Sequence, residues 1–306
     1  MGSAKLRNIR NYLLRQARYL DVARWNFHFE DGAAAAVLKA LKAYQNDDGG
    51  FGRGLEPDSQ NPHSSPLTTW SATRILREVG FPDLAWQMIR GILGYLEATP
   101  DFRGGKWTAA TASNNDHPHA PWWHWSADTD LFQYNPSAEL AGFVLRFAEP
   151  ASVVYGRAES LVRTLMPEVM SPAYALGTHE LSNLLMLFED LTVASRSDLI
   201  LPGFDSFLHE KVKASILQDP AAYRPDEYVT SPMFFIMSAD SPYYAENKAI
   251  CDFFAGYLED TVKPEGYWAL NWTWGEEPVP ENVQRDWHGV QIVNHMLYLQ
   301  GMKPER

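Results

Sequence analysis

Three groups of side chains in this sequence combine residue types at spacings that could do chemistry. Glu56 and Asp58 stand two residues apart in GLEPDSQNPHSSP (54–66), a polar loop stiffened by three prolines. A carboxylate pair in a rigid loop can supply a general acid and a general base. Asp128 and Asp130 lie in the long segment 108–135, together with Trp122, Trp123, Trp125, Tyr134, His117, His119 and His124. A His-x-His pair with nearby carboxylates could bind zinc or a harder divalent ion, although no fixed-spacing metal signature is present. Asp226 and Glu227 form a third carboxylate pair, before the apolar run 228–237. Asn271, Trp272, Thr273 and Trp274, with Asp286, Trp287 and His288, add aromatic and titratable groups near the C-terminus.

Each group also has a plainer explanation. Closely spaced carboxylates are common on solvated surfaces, and aspartates close turns with their own backbone. Large aromatics pack helix pairs as readily as they line pockets. The motifs GxGxxG, GxSxG and the P-loop are absent, so nucleotide and acyl-transfer chemistry have no support.

These side chains must be positioned by helices. Apolar residues recur at helical spacing over 6–20, at Ile9, Leu13, Ala17 and Leu20. Helices are also expected over 33–44, 68–79, 82–98, 136–148, 152–166, 179–191, 204–217, 231–237, 243–262 and 287–300, and no period-2 strand is evident. The fold class is therefore all-α, with eleven or twelve helices. Segment 108–135 is too long for an ordinary connection, and its tryptophans argue against disorder.

Bulk composition narrows the function. A chain of 306 residues with 45% hydrophobic residues can bury a sizeable core. Eleven Trp, fourteen Tyr and fifteen Phe are enough to line a cavity as well as fill a core. The formal net charge of −12 argues against nucleic acid and anionic membrane surfaces. A single cysteine, Cys251, excludes an intramolecular disulfide and a cysteine-rich zinc site, and fits a reducing cytoplasm. Arg10 and Arg15 interrupt any signal-like apolar run at the N-terminus, and no stretch approaches the length of a membrane span. A soluble, cytoplasmic protein with a small-molecule substrate is expected, its oligomeric state open.

The stretch QNDDGGFGRG (45–54) reads at first as a phosphate-cradling or metal-binding loop. Its pattern of glycine leading into an aromatic recurs at Gly105–Trp107 and at Gly266–Trp268, each after a helix ending near a tyrosine (Tyr44, Tyr95, Tyr257). Tyr44 and Tyr95 are 51 residues apart, and 162 residues separate Tyr95 from Tyr257, close to three further units. A period near 50 gives about six helix pairs over the chain, an α/α toroid forming one domain over 1–306 with a central cavity. The paired aspartates do not recur, so the turn is architectural.

Gln45-Asn46-Asp47-Asp48-Gly49-Gly50-Phe51 resembles the glutamine–tryptophan repeat of squalene-hopene cyclases, and is similar to the repeat of protein prenyltransferase β subunits. Phe51 replaces the commoner tryptophan, and the turns at Trp107 and Trp268 lack the glutamine. The resemblance implies a ring of helices around a cavity open at one end. It also implies a carboxylic acid that protonates an alkene or epoxide, with aromatic faces stabilising the carbocation. Asp128 or Asp130 would be that acid, although Leu131 stands where the family's motif has a last aspartate. Trp107, Trp122, Trp123, Trp125, Tyr134, Trp268 and Trp272 would form the cavity wall. The prenyltransferase zinc site is not expected, because Cys251-Asp252 reverses the family's order.

The leading expectation is a terpenoid-cyclase-like enzyme acting on an isoprenoid-type molecule. The alternatives are a carbohydrate-active α/α-barrel enzyme using Glu56 and Asp58, with tryptophans as sugar platforms, and a non-catalytic binding toroid. No cofactor is firmly implied, and a divalent metal stays open. A diphosphate substrate would need Arg53, Arg103 or Lys106 at the entrance of so acidic a protein.

Overall fold

The computed structural model describes residues 1–127 and 133–303, and helix dominates them. In chain order the helices are α1 (Ser3–Gln16), α2 (Tyr19–Phe29), α3 (Ala34–Lys42), α4 (Pro66–Glu78), α5 (Trp86–Ala98), α6 (Ser137–Phe147), α7 (Val153–Val169), α8 (Thr178–Val193), α9 (Phe204–Ser215), α10 (Tyr244–Thr261) and α11 (Glu281–Gly301). The all-α class is therefore correct. One small hairpin was not anticipated, in which β1 (Phe102–Arg103) pairs antiparallel with β2 (Lys106–Trp107). No helix among the described residues is long and apolar enough to cross a membrane.

The chain divides into two compact units. The first contains Met1–Ala40 and His209–Arg306, the second Leu41–Leu208. In the second unit α6 packs against α4, α7 and α8 and is buried from Ser137 to Leu145. Between Ser137 and Arg146 its sequence is apolar on all sides apart from Glu139, which is what a central helix requires. Ser65 caps α4 by accepting the Thr68 N–H at 3.1 Å, and Pro66 occupies the first turn, where its missing N–H costs nothing. In the first unit α11 packs against α1, α2 and α10.

Two expectations fail locally. Residues 6–20 do not form one helix, because Ala17 and Arg18 are extended and a second helix, α2, begins at Tyr19. No glycine or proline marks that break. Arg18 Nε reaches Asp21 at 2.8 Å in the first turn of α2 and holds the restart. Residues 231–237 form only a single 3-10 turn, Pro232–Phe234, since the chain is committed on both sides. Thr230 O accepts from Leu217 N at 3.0 Å, and Ala239 N donates to Gly301 O at 2.9 Å.

The recurring turns share a physical design. In each, a glycine with positive φ precedes the aromatic by two residues: Gly49 before Phe51, Gly105 before Trp107, Gly266 before Trp268. The first and third have matching hydrogen bonds. Asn46 N donates to Gly50 O and Gly49 N to Asn46 O, just as Lys263 N donates to Tyr267 O and Gly266 N to Lys263 O. Both are three-residue hairpin loops closed by a left-handed glycine, whereas Gly104-Gly105 is a two-residue loop with both φ positive.

The first and third turns also press onto a helix. A Cβ on Gly49 would lie 2.2 Å from Gly91 O in α5, and one on Gly266 would lie 2.2 Å from Asn8 O in α1. Trp107 Nε1 donates to Leu96 O and Trp268 Nε1 to Leu258 O, each at 3.0 Å. Both carbonyls belong to the last turn of a helix, where four carbonyls lack an intrahelical donor. The two indoles are 1% and 4% exposed, so each turn buries a large ring and satisfies a helix end at once.

Trp107→Phe and Trp268→Phe keep most of the buried area but orphan the carbonyl. Each is expected to lower stability by about 1–3 kcal/mol in urea unfolding. Gly266→Ala should cost more than either, because the added Cβ meets the backbone of α1.

Candidate functional site

Trp268 and Trp272 lie together in the first unit. They line a pocket of about 160 Å³ with Tyr223, Tyr228, Phe234, Phe254 and Tyr257. The loop after α9 supplies one wall, α10 the second, the irregular segment after Trp268 the third, and α11 closes it with Gln291 and His295. Asn271 Nδ2 ties the walls by donating to Glu227 O at 3.0 Å. The Trp272 and Trp287 rings meet edge to face at 5.2 Å. The pair Asp226 and Glu227 is divided by the fold: Glu227 lines the pocket, and its carboxylate lies 3.7 Å from Arg224 on the exposed rim.

Three buried polar atoms of this lining have no hydrogen-bond partner: Trp272 Nε1, Gln291 Oε1 and His295 Nδ1. A buried polar group without a partner costs roughly 1–3 kcal/mol, so three around one pocket mark a place where bound molecules can add interactions. His295 is 7% exposed and meets the Trp268 ring edge to face at 4.6 Å. Burial holds its imidazole at about 3, so it is neutral near pH 7. Burial likewise pushes the Tyr228 phenol up to about 12 and raises that of Tyr223, leaving both as neutral O–H groups.

In the second unit Glu56 and Asp58 occupy a tightly tied loop. Gln60 N donates to Pro118 O at 2.9 Å and Ala120 N to Asp58 O at 2.8 Å, joining the 54–66 loop to the 108–125 segment. Asn61 Nδ2 bonds Ser113 Oγ and Asn114 Oδ1, and Asn114 Nδ2 reaches Trp123 O at 2.9 Å. Asp58 is 3% exposed, whereas Glu56 is half-buried and accepts from Ser71 Oγ at 3.4 Å. Asn46 and Asp48 of the opening turn are also engaged locally. Asn46 bonds Pro62 O and Arg53, and Asp48 accepts from Gly50 N and Ser64 Oγ.

The histidines of this segment associate as rings. His119 and His124 stack at 5.4 Å with a 3.2 Å Nε2–Nδ1 approach, and His63 lies 5.7 Å from His117. Among the described residues no group of three side chains is arranged to hold a metal ion.

The other expected wall residues are dispersed through the second unit. Trp107 is core, as described above. Trp123 is 7% exposed, Trp122 is half-buried, and Arg103 lies over the Trp125 ring at 5.6 Å. Tyr134 donates its O–H to Glu168 at 2.6 Å beneath Lys106, which stands 5.4 Å from the ring centre. Asp128 and Asp130 lie outside the described residues.

One constellation was not singled out from the sequence. On the adjoining faces of α4, α6 and α8, Glu139 Oε2 accepts from Trp70 Nε1 at 2.7 Å and from Arg74 Nε at 2.9 Å. Arg74 Nη2 also donates to Ser182 Oγ at 2.9 Å, and its guanidinium lies 4.5 Å over the Trp70 ring. His179 stands at the start of α8, and Asn183 one turn on donates to Asn135 Oδ1 at 2.9 Å. Two signals existed: Trp70 and Arg74 at i, i+4, and a lone carboxylate inside the apolar helix α6. Comparisons with protein-family models, curated proteins and solved structures yield no match to this chain.

The neutral histidines of the first unit make stability pH-dependent with a definite sign. The ordinary value is 6.5, and burial lowers His288 to about 4 and His295 to about 3. Between 6.5 and those values the unfolded chain binds protons that the folded chain refuses. Their contribution is complete above about pH 6.5 and is lost as pH falls toward 4 and then 3. The raised carboxyls of Asp101 and Asp286 act in the opposite sense, so the informative comparison is with a variant. His295→Gln should flatten the fall in urea midpoint between pH 6.5 and 4, measured against wild type.

Proposed function

We propose that the protein acts on an apolar, isoprenoid-type small molecule held in the aromatic pocket between α10 and α11, in the manner of a terpenoid-cyclase-like toroid. The observation that carries this reading is the convergence of seven aromatic side chains, Tyr223, Tyr228, Phe234, Phe254, Tyr257, Trp268 and Trp272, on one small pocket. Aromatic faces bury apolar ligands and stabilise positive charge developing on them. The partnerless atoms of Trp272, Gln291 and His295 suit a ligand that carries a polar group on an apolar body.

Size limits the ligand. A pocket of about 160 Å³ compares with the cavity of roughly 150 Å³ that takes benzene in an engineered protein core. It accommodates one or two isoprene units or a single ring, and a longer chain must extend beyond it. The toroid reading is supported by the third turn, which presses Gly266 against α1 as the first turn presses Gly49 against α5. A C-terminal turn that docks on the N-terminal helix is the contact a closing ring of helix pairs requires. In this reading neutral His295 is an uncharged hydrogen-bonding group within the pocket.

Tryptophan fluorescence titrated with a C10 isoprenoid alcohol should show saturable quenching, and Trp272→Ala should weaken it at least tenfold. Saturation by monosaccharides with no response to the alcohol would overturn the reading in favour of a carbohydrate ligand.

A further inference from the structure

The constellation on α4, α6 and α8 has no part in the aromatic pocket, and its chemistry is different. Arg74 is unusual for a partly exposed arginine. Its side chain is 39% exposed, yet stacking on Trp70 and bonds to Glu139 and Ser182 hold it in one position. Ordering so long a side chain costs rotamer entropy, and a solvent-screened ion pair returns little of it. Arg74 Nη1 has no hydrogen-bond partner among the described residues, so one edge of a pre-oriented guanidinium remains available.

The surrounding carboxylates do not occupy that edge. Glu139, with a side chain 2% exposed, faces the inner edge and takes the Trp70 indole as well. Glu180, on α8, accepts from Tyr134 N, Tyr174 O–H and Gly177 N. Glu56, from the loop beside α4, takes the Ser71 hydroxyl.

His179 reports the potential over this face. His179 is exposed, yet surrounding protein disfavours its charged form. The positive charge of Arg74 lowers its pKa further. On the same face of α8, Asn183 Oδ1 is buried and has no donor, and the residue is 1% exposed.

We propose that this face of α4, α6 and α8 is an anion-binding site, in which the outer edge of Arg74 receives the oxyanion of a small carboxylate or phosphate. Trp70 lies under the guanidinium and fixes its plane, and Ser182 fixes its rotation. Asn183 is the acceptor for a hydroxyl or amine on the same molecule. Lysine cannot substitute, because the site relies on a planar fork held against an indole and a carboxylate. The proposal is independent of the aromatic pocket and stands if the isoprenoid reading fails.

The test uses the full-length protein, isotope-labelled at histidine, titrated separately with inorganic phosphate and with acetate. The His179 ring resonances should shift saturably with one of the two, and the His179 pKa should rise once the anion is bound. Arg74→Lys should weaken the response at least tenfold, and Arg74→Gln should abolish it. Arg74→Gln leaves Glu139 buried without its cation, so the double variant Arg74→Gln with Glu139→Gln carries the test if the single variant unfolds. A linear, non-saturating shift with both anions, or one unchanged in these variants, overturns the proposal. So does a saturable shift at other histidines that leaves His179 unmoved. The fluorescence response of Trp272 to the isoprenoid alcohol should be unaffected by Arg74→Lys, which separates the two sites.

Discussion

The carbonyls at the ends of α5 and α10 need donors, and in both cases an indole N–H reaches back from the following turn. The rest of the structure depends on that constraint. A buried helix end without partners is costly, and water cannot serve where the helices pack. Glycine with positive φ turns the chain sharply enough to bring the aromatic back under the helix it has just left. The same glycine, having no Cβ, lets the first turn lie against α5 and the third against α1. A single device therefore ends a helix, buries a large ring and sets the next contact. Phe51 occupies the equivalent position without a side-chain donor, and there one backbone bond does the work: Gly52 N donates to Tyr44 O.

Within the second unit, carboxylates are placed where donors converge. Glu139 gathers an indole and a guanidinium, Glu180 gathers two backbone N–H groups and a phenol, and Asp190 is clamped by Arg77 and Arg146. Buried ions of this kind add little net stability over an apolar core but are costly to break singly. Their value lies in fixing side chains in place, and Arg74 has the most exposed side chain of the three arginines, at 39% against 17% for Arg77 and 22% for Arg146. The first unit follows another logic. Its pocket is walled by neutral groups: phenols raised by burial, an imidazole lowered by burial, and indoles. Charge is kept at the rim, at Arg224 and Glu227. One unit is thus built around buried ion pairs and the other around neutral aromatic groups.

Helix content, the recurring turns and the aromatic richness were legible in the sequence, because each is a local property. Alanine-rich and amphipathic runs declare helices through spacing, and glycine before an aromatic declares a turn through φ. Trp268 and Trp272 were named from type alone, and they do line a pocket. Trp107 was named on the same grounds and is core, since an indole that satisfies a helix carbonyl and one that faces a ligand look alike in sequence. The break at Ala17–Arg18 was invisible, because two ordinary residues in extended conformation leave no compositional mark. Residues 231–237 were apolar enough to suggest a helix, but the chain on either side is pinned to α9's end and to α11's.

By itself, then, the sequence determined the class of structure and the places where the chain turns. Periodicity and glycine chemistry act over a few residues, within reach of any reading along the chain. Only the tertiary structure decided which polar groups meet. Trp70 and Glu139 are 69 residues apart, and Arg74 and Ser182 are 108 apart. His295 was one histidine among nine until α11 buried it against Trp268. The chemistry of a side chain depends on burial and on neighbours brought from distant segments, and those are properties of packing.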